Sequence, residues 1–422
     1  MTLPKPNLKN IIVPFQDVHQ GIRTFYKVDR IGQAEKDFAA FRDAQMPKID
    51  YILQQFEMRK QAARYKRTKQ HKTGALDTLR LAYYKTHDDL FKTIAICQDG
   101  KNHGLIFVVD WSGSMQSQMA GTLEQLIILC LFCRKANIPF EVYSLTTGGS
   151  NDFTREPGNL AYANNFQMRM YLSSRMSPGE FHDACVNIFA LMPNGAYFDH
   201  RTGGPTADTL IGCTPLDESI ITCIDLIKDF KQKTHAEIVN AIFLTDGGAN
   251  TVNAYYDQSG RETSMGGYGS YNYGYGYNSR STNVKYLIDD RATHKVYGFT
   301  IGDMTPTMVK ILRDREGIHA VCFYIDGSWA TFFKDLDDAK QALLNKQFAE
   351  DGYVVSTEWG FDEVYITRRG SGWRVKDQKL RPQKAVVGTP EFLEDVEKNF
   401  MKQGLNMMKQ RIMLDRFVKM IA

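Results

Sequence analysis

Residues 105–115, LIFVVDWSGSM, constrain the fold of this chain more than any other stretch. Five consecutive apolar residues, Leu105 to Val109, end at Asp110, after which the sequence turns to the small polar residues Ser112, Gly113 and Ser114. A short all-apolar run fits a strand covered on both faces, as in a parallel sheet, where ligand sites lie beyond the carboxyl ends of the strands. Asp110 stands at that edge. Asp110, Ser112 and Ser114 alternate, so one carboxylate and two hydroxyls can face one point, and hard oxygen donors suit Mg²⁺ or Mn²⁺. Taken alone, the motif also reads as a turn whose Asp and Ser side chains cap the next helix.

Two later segments follow in order. Residues 211–216 read IGCTPL, and residues 241–247 read AIFLTDG, a second apolar strand ending in an aspartate. The series D-x-S-x-S, then T-P-L, then a strand-end Asp resembles the metal-ion-dependent adhesion site of von Willebrand factor A domains. The resemblance implies an α/β, Rossmann-like von Willebrand A domain, with a central mostly parallel sheet flanked by helices. It also implies that Asp110, Ser112, Ser114, Thr214 and Asp246 bind one divalent cation, Mg²⁺ or Mn²⁺, with a position left for an incoming carboxylate.

A chain of 422 residues that is 43% hydrophobic and 24% charged has room for two or three soluble domains. Its net charge of +4 makes no case for a membrane or nucleic-acid partner from composition alone. The seven cysteines form no disulfide framework, and Cys130, Cys133 and Cys223 fall in apolar helical patterns, which points to a reducing compartment. The CLFC pair at Cys130 and Cys133 reads as core packing, because no second pair follows. The start of the chain lacks a signal pattern, and no apolar run reaches about 18 residues. A soluble, cytoplasmic protein is expected, in the host cytoplasm if a phage encodes it.

Along the chain, residues 1–30 carry three prolines and suggest an extended arm. From 31 to 72 the apolar spacing is helical, and Pro47 is expected to divide it into two helices. Residues 58–72 hold seven Lys or Arg in fifteen positions, a solvated helix face or a phosphate-contacting surface. Helix 119–137 and strand 140–145 continue the alternation that gives parallel sheets. Residues 151–203 read as an insertion containing helix 178–191, and helix 216–233 follows Thr214. His182 and His200 show no zinc spacing. Residues 250–282 read as a mobile loop, with the Gly/Tyr-rich stretch 266–277 at its centre. Strand 295–301, helix 304–317, strand 320–325 and helix 332–349 close the sheet domain. A small β region, 353–375, and a closing helix, 390–422, follow. The expected organisation is an N-terminal arm and helical region (1–98), a von Willebrand A domain with insertions (99–350), and a β region with a C-terminal helical extension (351–422).

A narrower likeness lies outside the site. Residues 56–81, FEMRKQAARYKRTKQHKTGALDTLRL, and 407–422, MMKQRIMLDRFVKMIA, resemble segments of the T subunit of aerobic cobaltochelatase and its relatives in large tailed phages. That family carries a long acidic low-complexity stretch before its domain, and this chain has none. No H-E-x-x-H, G-x-S-x-G or P-loop motif is present. The resemblance implies a non-catalytic, Mg²⁺-dependent adaptor that joins an AAA+ ATPase of the MoxR or chelatase type to a carboxylate-bearing target protein. A cobaltochelatase subunit in cobalamin biosynthesis is the alternative, and a nucleic-acid-associated or virion structural protein a second.

Overall fold

Apolar runs bounded by turns become the strands of one central sheet, and helices cover both of its faces. The computed structural model describes residues 1–67, 69–76, 91–96, 102–147, 153–162, 166–192, 214–247, 249, 252, 254–265, 285–325, 337–351 and 353–367. The helices are α1 (Leu8–Ile11), α2 (Phe15–Phe25), α3 (Val28–Arg67), α4 (Met119–Lys135), α5 (Pro178–Leu191), α6 (Leu216–Thr234), α7 (Met304–Glu316) and α8 (Asp338–Asp351). The first strands are β1 (Ile12–Val13), β2 (Lys69–Leu76), β3 (Phe91–Ile96), β4 (His103–Asp110), β5 (Phe140–Thr146), β6 (Leu160–Ala161), β7 (Gln167–Ser173) and β8 (Ile238–Thr245). They are followed by β9 (Ala254–Tyr256), β10 (Glu262–Ser264), β11 (Tyr286–Asp290), β12 (Lys295–Phe299), β13 (His319–Ile325), β14 (Val354–Ser356) and β15 (Glu363–Thr367).

Eight strands form the central sheet in the order β1-β7-β5-β4-β8-β13-β15-β14. The run β5, β4, β8, β13, β15 is parallel throughout, while β7 and β14 lie antiparallel to β5 and β15. The expected mixed α/β architecture, a mostly parallel sheet flanked by helices, is present. Alternation along β4 divides its apolar run between two cores. Leu105, Phe107 and Val109 join residues of α3, α4 and α5, whereas Ile106 and Val108 join residues of α6 and α7. Helix α4 is buried on nearly every side, as a helix apolar all round must be. At Gly104 the chain needs glycine for space. A Cβ there would lie 2.5 Å from Cε1 of Phe230 and 2.9 Å from Cβ of Ala236, so its absence lets α6 press against the start of β4.

Several expectations are corrected. Residues 1–30 are not simply an extended arm, because Phe15, Val18, Ile22 and Phe25 recur at helical spacing and α2 buries Val18, His19 and Ile22. Pro47 does not divide the following helix: α3 runs through it. A helical proline costs about 3 kcal/mol, but Phe38 before it and Ile49 and Phe56 after it are buried in the same core, so packing on both sides keeps the two halves in line. The basic run 58–72 is not one helix either, since α3 ends at Arg67 and β2 begins at Lys69, paired antiparallel with β3.

The predicted strand 295–301 is realised as β12, which pairs with β11 in a separate two-stranded sheet. Its one-sided burial, with Tyr297 and Phe299 inside and Val296 exposed, suits an antiparallel ribbon rather than a central strand. The expected insertion 151–203 supplies β7 to the sheet and α5 to the core, and residues from Tyr353 onward supply β14 and β15 to the same sheet. Within 250–282, β9 and β10 pair with each other, and β9 with β6. The stretch 266–277, the closing helix 390–422 and His200 lie outside the described residues.

Candidate metal centre

Strands β4 and β8 are adjacent and parallel, with Val109 opposite Leu244, so Asp110 stands level with Thr245 and Asp246 lies one residue beyond. From β4 the chain passes through α4 to β5 on one side, while β8 flanks β4 on the other. A crevice at such a reversal, outside the carboxyl ends of the strands, is where open α/β sheets hold ligands. After Asp110 the backbone passes through Trp111 and Ser112 into the short 3₁₀ turn Ser114–Ser117 and then α4. Thr214 lies two residues before α6.

The five residues singled out from the sequence come together here. The backbone N–H of Ser112 donates to Oδ1 of Asp110 at 2.9 Å, and Thr214 Oγ1 lies 3.4 Å from Asp110 Oδ2. Ser114 Oγ donates to Asp246 Oδ1 at 2.6 Å and is 3.1 Å from Ser112 Oγ. Because the Ser114 proton is committed to Asp246, Ser112 is the donor of that second bond. Gly247 joins the two halves: a Cβ built on it would be 3.7 Å from Thr214 Oγ1 and 4.0 Å from Ser114 Oγ. Asp110, Ser112, Thr214 and Asp246 are buried, whereas Ser114 is exposed, so the cluster opens to solvent on the Ser114 side.

Burial pushes the Asp110 carboxyl up to about 6, with the nearby Asp246 charge adding to the effect and hydrogen bonds from Thr245 and Ser112 opposing it. A carboxylate so placed holds its charge at a cost that a cation beside it would offset. The donor set fits a hard divalent ion: two carboxylates and three hydroxyls, all oxygen. Among the described residues no group of three or more His, Cys, Asp or Glu side chains could hold a metal, and this cluster brings only two carboxylates together. Cys130, Cys133 and Cys185 are free thiols deep in the core, and burial raises all three.

A further carboxylate sits behind the cluster. Asp217 in the first turn of α6 is fully buried, accepting from Thr305 Oγ1 at 2.6 Å and from the Val252 backbone N–H at 3.3 Å. It thus ties α6 to the start of α7 and to the segment after Asp246. Burial pushes it from 3.8 to about 6. The folded state therefore holds a proton that the unfolded chain releases near pH 4. Stability from this group is fully present below that pH and is lost as the pH rises to 6, by about 3 kcal/mol for two units. Asp217→Asn should flatten that part of the stability curve, followed as melting temperature against pH. A variant with the wild-type slope would show that Asp217 is not the titrating group.

Two residues at the site were not picked out from the sequence. Thr245 donates to Asp110 Oδ2 at 2.7 Å, and Trp111, 3% exposed, stacks on Tyr171 with ring centroids 5.0 Å apart. The signal for Thr245 was a polar residue closing an apolar strand in register with Asp110, and register is not visible before the strands are paired. His182 packs edge-on against Phe38 at 5.4 Å.

No protein-family profile and no curated protein matches this chain. Solved structures with partial likeness include the pilus adhesin SpaC of Lactobacillus rhamnosus GG, 15% identical over 54% of this chain and 24% of that one, with a TM-score of 0.27. A human COPII-coat protein is 12% identical over 55% of this chain and 27% of that one, with a TM-score of 0.22. The N-terminal domains of the type V pilus tip protein of Porphyromonas gingivalis are 13% identical over 63% of this chain and 38% of that one, with a TM-score of 0.19. The chain thus spans well under half of each, and scores this low carry no argument about function. Among the described residues no helix is long and apolar enough to cross a membrane.

Proposed function

We propose that this chain is a von Willebrand A-type protein whose cation site binds a carboxylate from another protein, and that it serves as a non-catalytic adaptor for an AAA+ ATPase. The observation that supports this reading is the convergence of Asp110, Ser112, Ser114, Thr214 and Asp246 at the carboxyl ends of β4 and β8, although they come from three separate parts of the sequence. Those five residues would hold Mg²⁺, and the ion would supply a position for a carboxylate oxygen. The chain's own groups set the terms of that contact. Ser112 and Thr245 hold the Asp110 carboxylate, Ser114 holds Asp246, and the glycine at 247 keeps side-chain bulk away from the hydroxyls. The ATPase as partner rests on the likeness of residues 56–81 and 407–422 to chelatase T subunits.

The test is recovery of partners from the native cell on the tagged chain, with Mg²⁺ and with EDTA. An ATPase and its target should be retained in Mg²⁺, released in EDTA, and absent with Thr214→Ala. Assembly that persists in EDTA would place the contact on the helices instead, and recovery of no ATPase would end the adaptor reading.

A further inference from the structure

We propose that Thr245 is a positioning residue for the candidate cation site, its hydroxyl locking the Asp110 carboxylate and the turn at Gly247 into one arrangement. The proposal rests on the reading of the site as a cation site, and it concerns a residue outside the five-residue motif. Thr245 is fully buried at the end of β8. Its Oγ1 donates to Asp110 Oδ2 at 2.7 Å and accepts the Gly247 backbone N–H at 3.2 Å. The amide can only donate, and of the two acceptors in reach of the single hydroxyl proton, Asp110 Oδ2 at 2.7 Å and the Gly247 carbonyl oxygen at 3.1 Å, the nearer is also the charged one and takes it. One hydroxyl therefore links the strand that carries the first aspartate to the turn just past the second. With the Ser112 amide on Oδ1 at 2.9 Å, both Asp110 oxygens are held from opposite sides, and the plane of the carboxylate is set.

The side chain suits this task. A β-branched threonine is stiff at χ1, so the hydroxyl is presented with little rotamer freedom to lose. The remaining hydroxyl on that oxygen, Thr214 Oγ1, lies at 3.4 Å, too long to hold it alone. Two carboxylates near one another tend to turn apart, and the Thr245 link opposes that before any cation arrives. Groups that orient metal ligands typically matter by roughly 10- to 100-fold in affinity.

The experiment compares Thr245→Val, which keeps shape and loses the hydroxyl, with Thr245→Ser, which keeps the hydroxyl and loses a methyl. Mg²⁺ affinity is measured by calorimetry, the symmetry of bound Mn²⁺ by electron paramagnetic resonance, and fold stability by melting in EDTA. Thr245→Val should weaken Mg²⁺ binding by roughly 10- to 100-fold and broaden the Mn²⁺ spectrum, and Thr245→Ser should restore both. A role in packing alone predicts the opposite: lower melting temperatures in EDTA with wild-type affinity and spectrum, which overturns the proposal. Should the valine variant not fold, Thr245→Ala carries the same expectation. If the Val variant binds Mg²⁺ as the wild type does, the positioning role fails while the site reading stands. If the wild type binds neither ion, both fail.

Discussion

Asp110→Asn should make the metal-free protein harder to melt near pH 7 and remove most of its stabilisation by Mg²⁺. The two effects have one origin. Burial raises the Asp110 carboxyl from 3.8 to about 6, with Asp246 adding to the shift, so at pH 7 the folded state carries a charge that water would hold more cheaply. Two units correspond to about 3 kcal/mol. An amide removes that cost, but Thr245 must then turn its proton to the Gly247 carbonyl at 3.1 Å and lose its bond to a charged oxygen, so the net gain should be smaller, about 1–2 kcal/mol. The same exchange removes one of two carboxylates from the cluster, and cation sites depend steeply on ligand charge. An affinity loss on the order of 100-fold is expected, which is about 3 kcal/mol. In the wild type, Mg²⁺ at 100 times its dissociation constant should add about 2.7 kcal/mol to stability, and the same concentration should add only about 0.4 kcal/mol to the variant. Melting curves in EDTA and in Mg²⁺, for both proteins, give all four values. A variant less stable than wild type in EDTA would mean that Asp110 is held more for its hydrogen bonds than at the expense of its charge. An unchanged Mg²⁺ response would remove Asp110 from the site.

What could be read ahead of the structure follows a physical division. Strands β4 and β8 announced themselves because parallel strands buried on both faces must be apolar throughout, and a carboxylate at the end of each stands out against that background. The two aspartates stand out in this way, whereas Thr214, on no strand, is joined to them and to Ser112 and Ser114 by the resemblance to the adhesion-site motif. Pairing could not be read. Whether residues 295–299 enter the central sheet or form a ribbon with Tyr286–Asp290 depends on which edge is free, and periodicity is silent about that. At Pro47 the local cost of a lost backbone hydrogen bond is outweighed by packing on both sides of the proline, which a local pattern does not show. Thr245 was passed over because its role comes from register with Asp110, a property of two strands together. The N-terminal helix α2 was missed because three prolines nearby outweighed a four-residue apolar pattern that only becomes meaningful against the sheet it covers.

Trp111→Ala should destabilise the fold by about 3–5 kcal/mol and weaken the cation site with it. Trp111 lies between Asp110 and Ser112, yet its side chain belongs to the core: it is 3% exposed and stacks on Tyr171 at 5.0 Å with an interplanar angle of 14°. Tyr171 is itself held, its ring edge-on to His19 at 6.3 Å and its backbone oxygen 2.7 Å from His19 Nε2. A carbonyl only accepts, so Nε2 carries the proton and Nδ1 is bare, in keeping with burial lowering the affinity of His19 for a second proton. The indole is thus a peg driven into a wall built by β7 and α2, and the residues on either side of it belong to the oxygen cluster proposed to hold the cation. Truncation empties a large volume in a close-packed core and also frees the backbone that aims Asp110 and Ser112. Trp111→Phe keeps an aromatic face for Tyr171 and should recover most of both losses. Denaturant melting gives the stability change, and calorimetry with Mg²⁺ gives the effect on the site. If Trp111→Ala unfolds at the wild-type denaturant midpoint, the stack contributes nothing to the fold. If it unfolds early but the folded fraction binds Mg²⁺ with wild-type affinity, the loop is held in place by its hydrogen bonds to Asp110 alone.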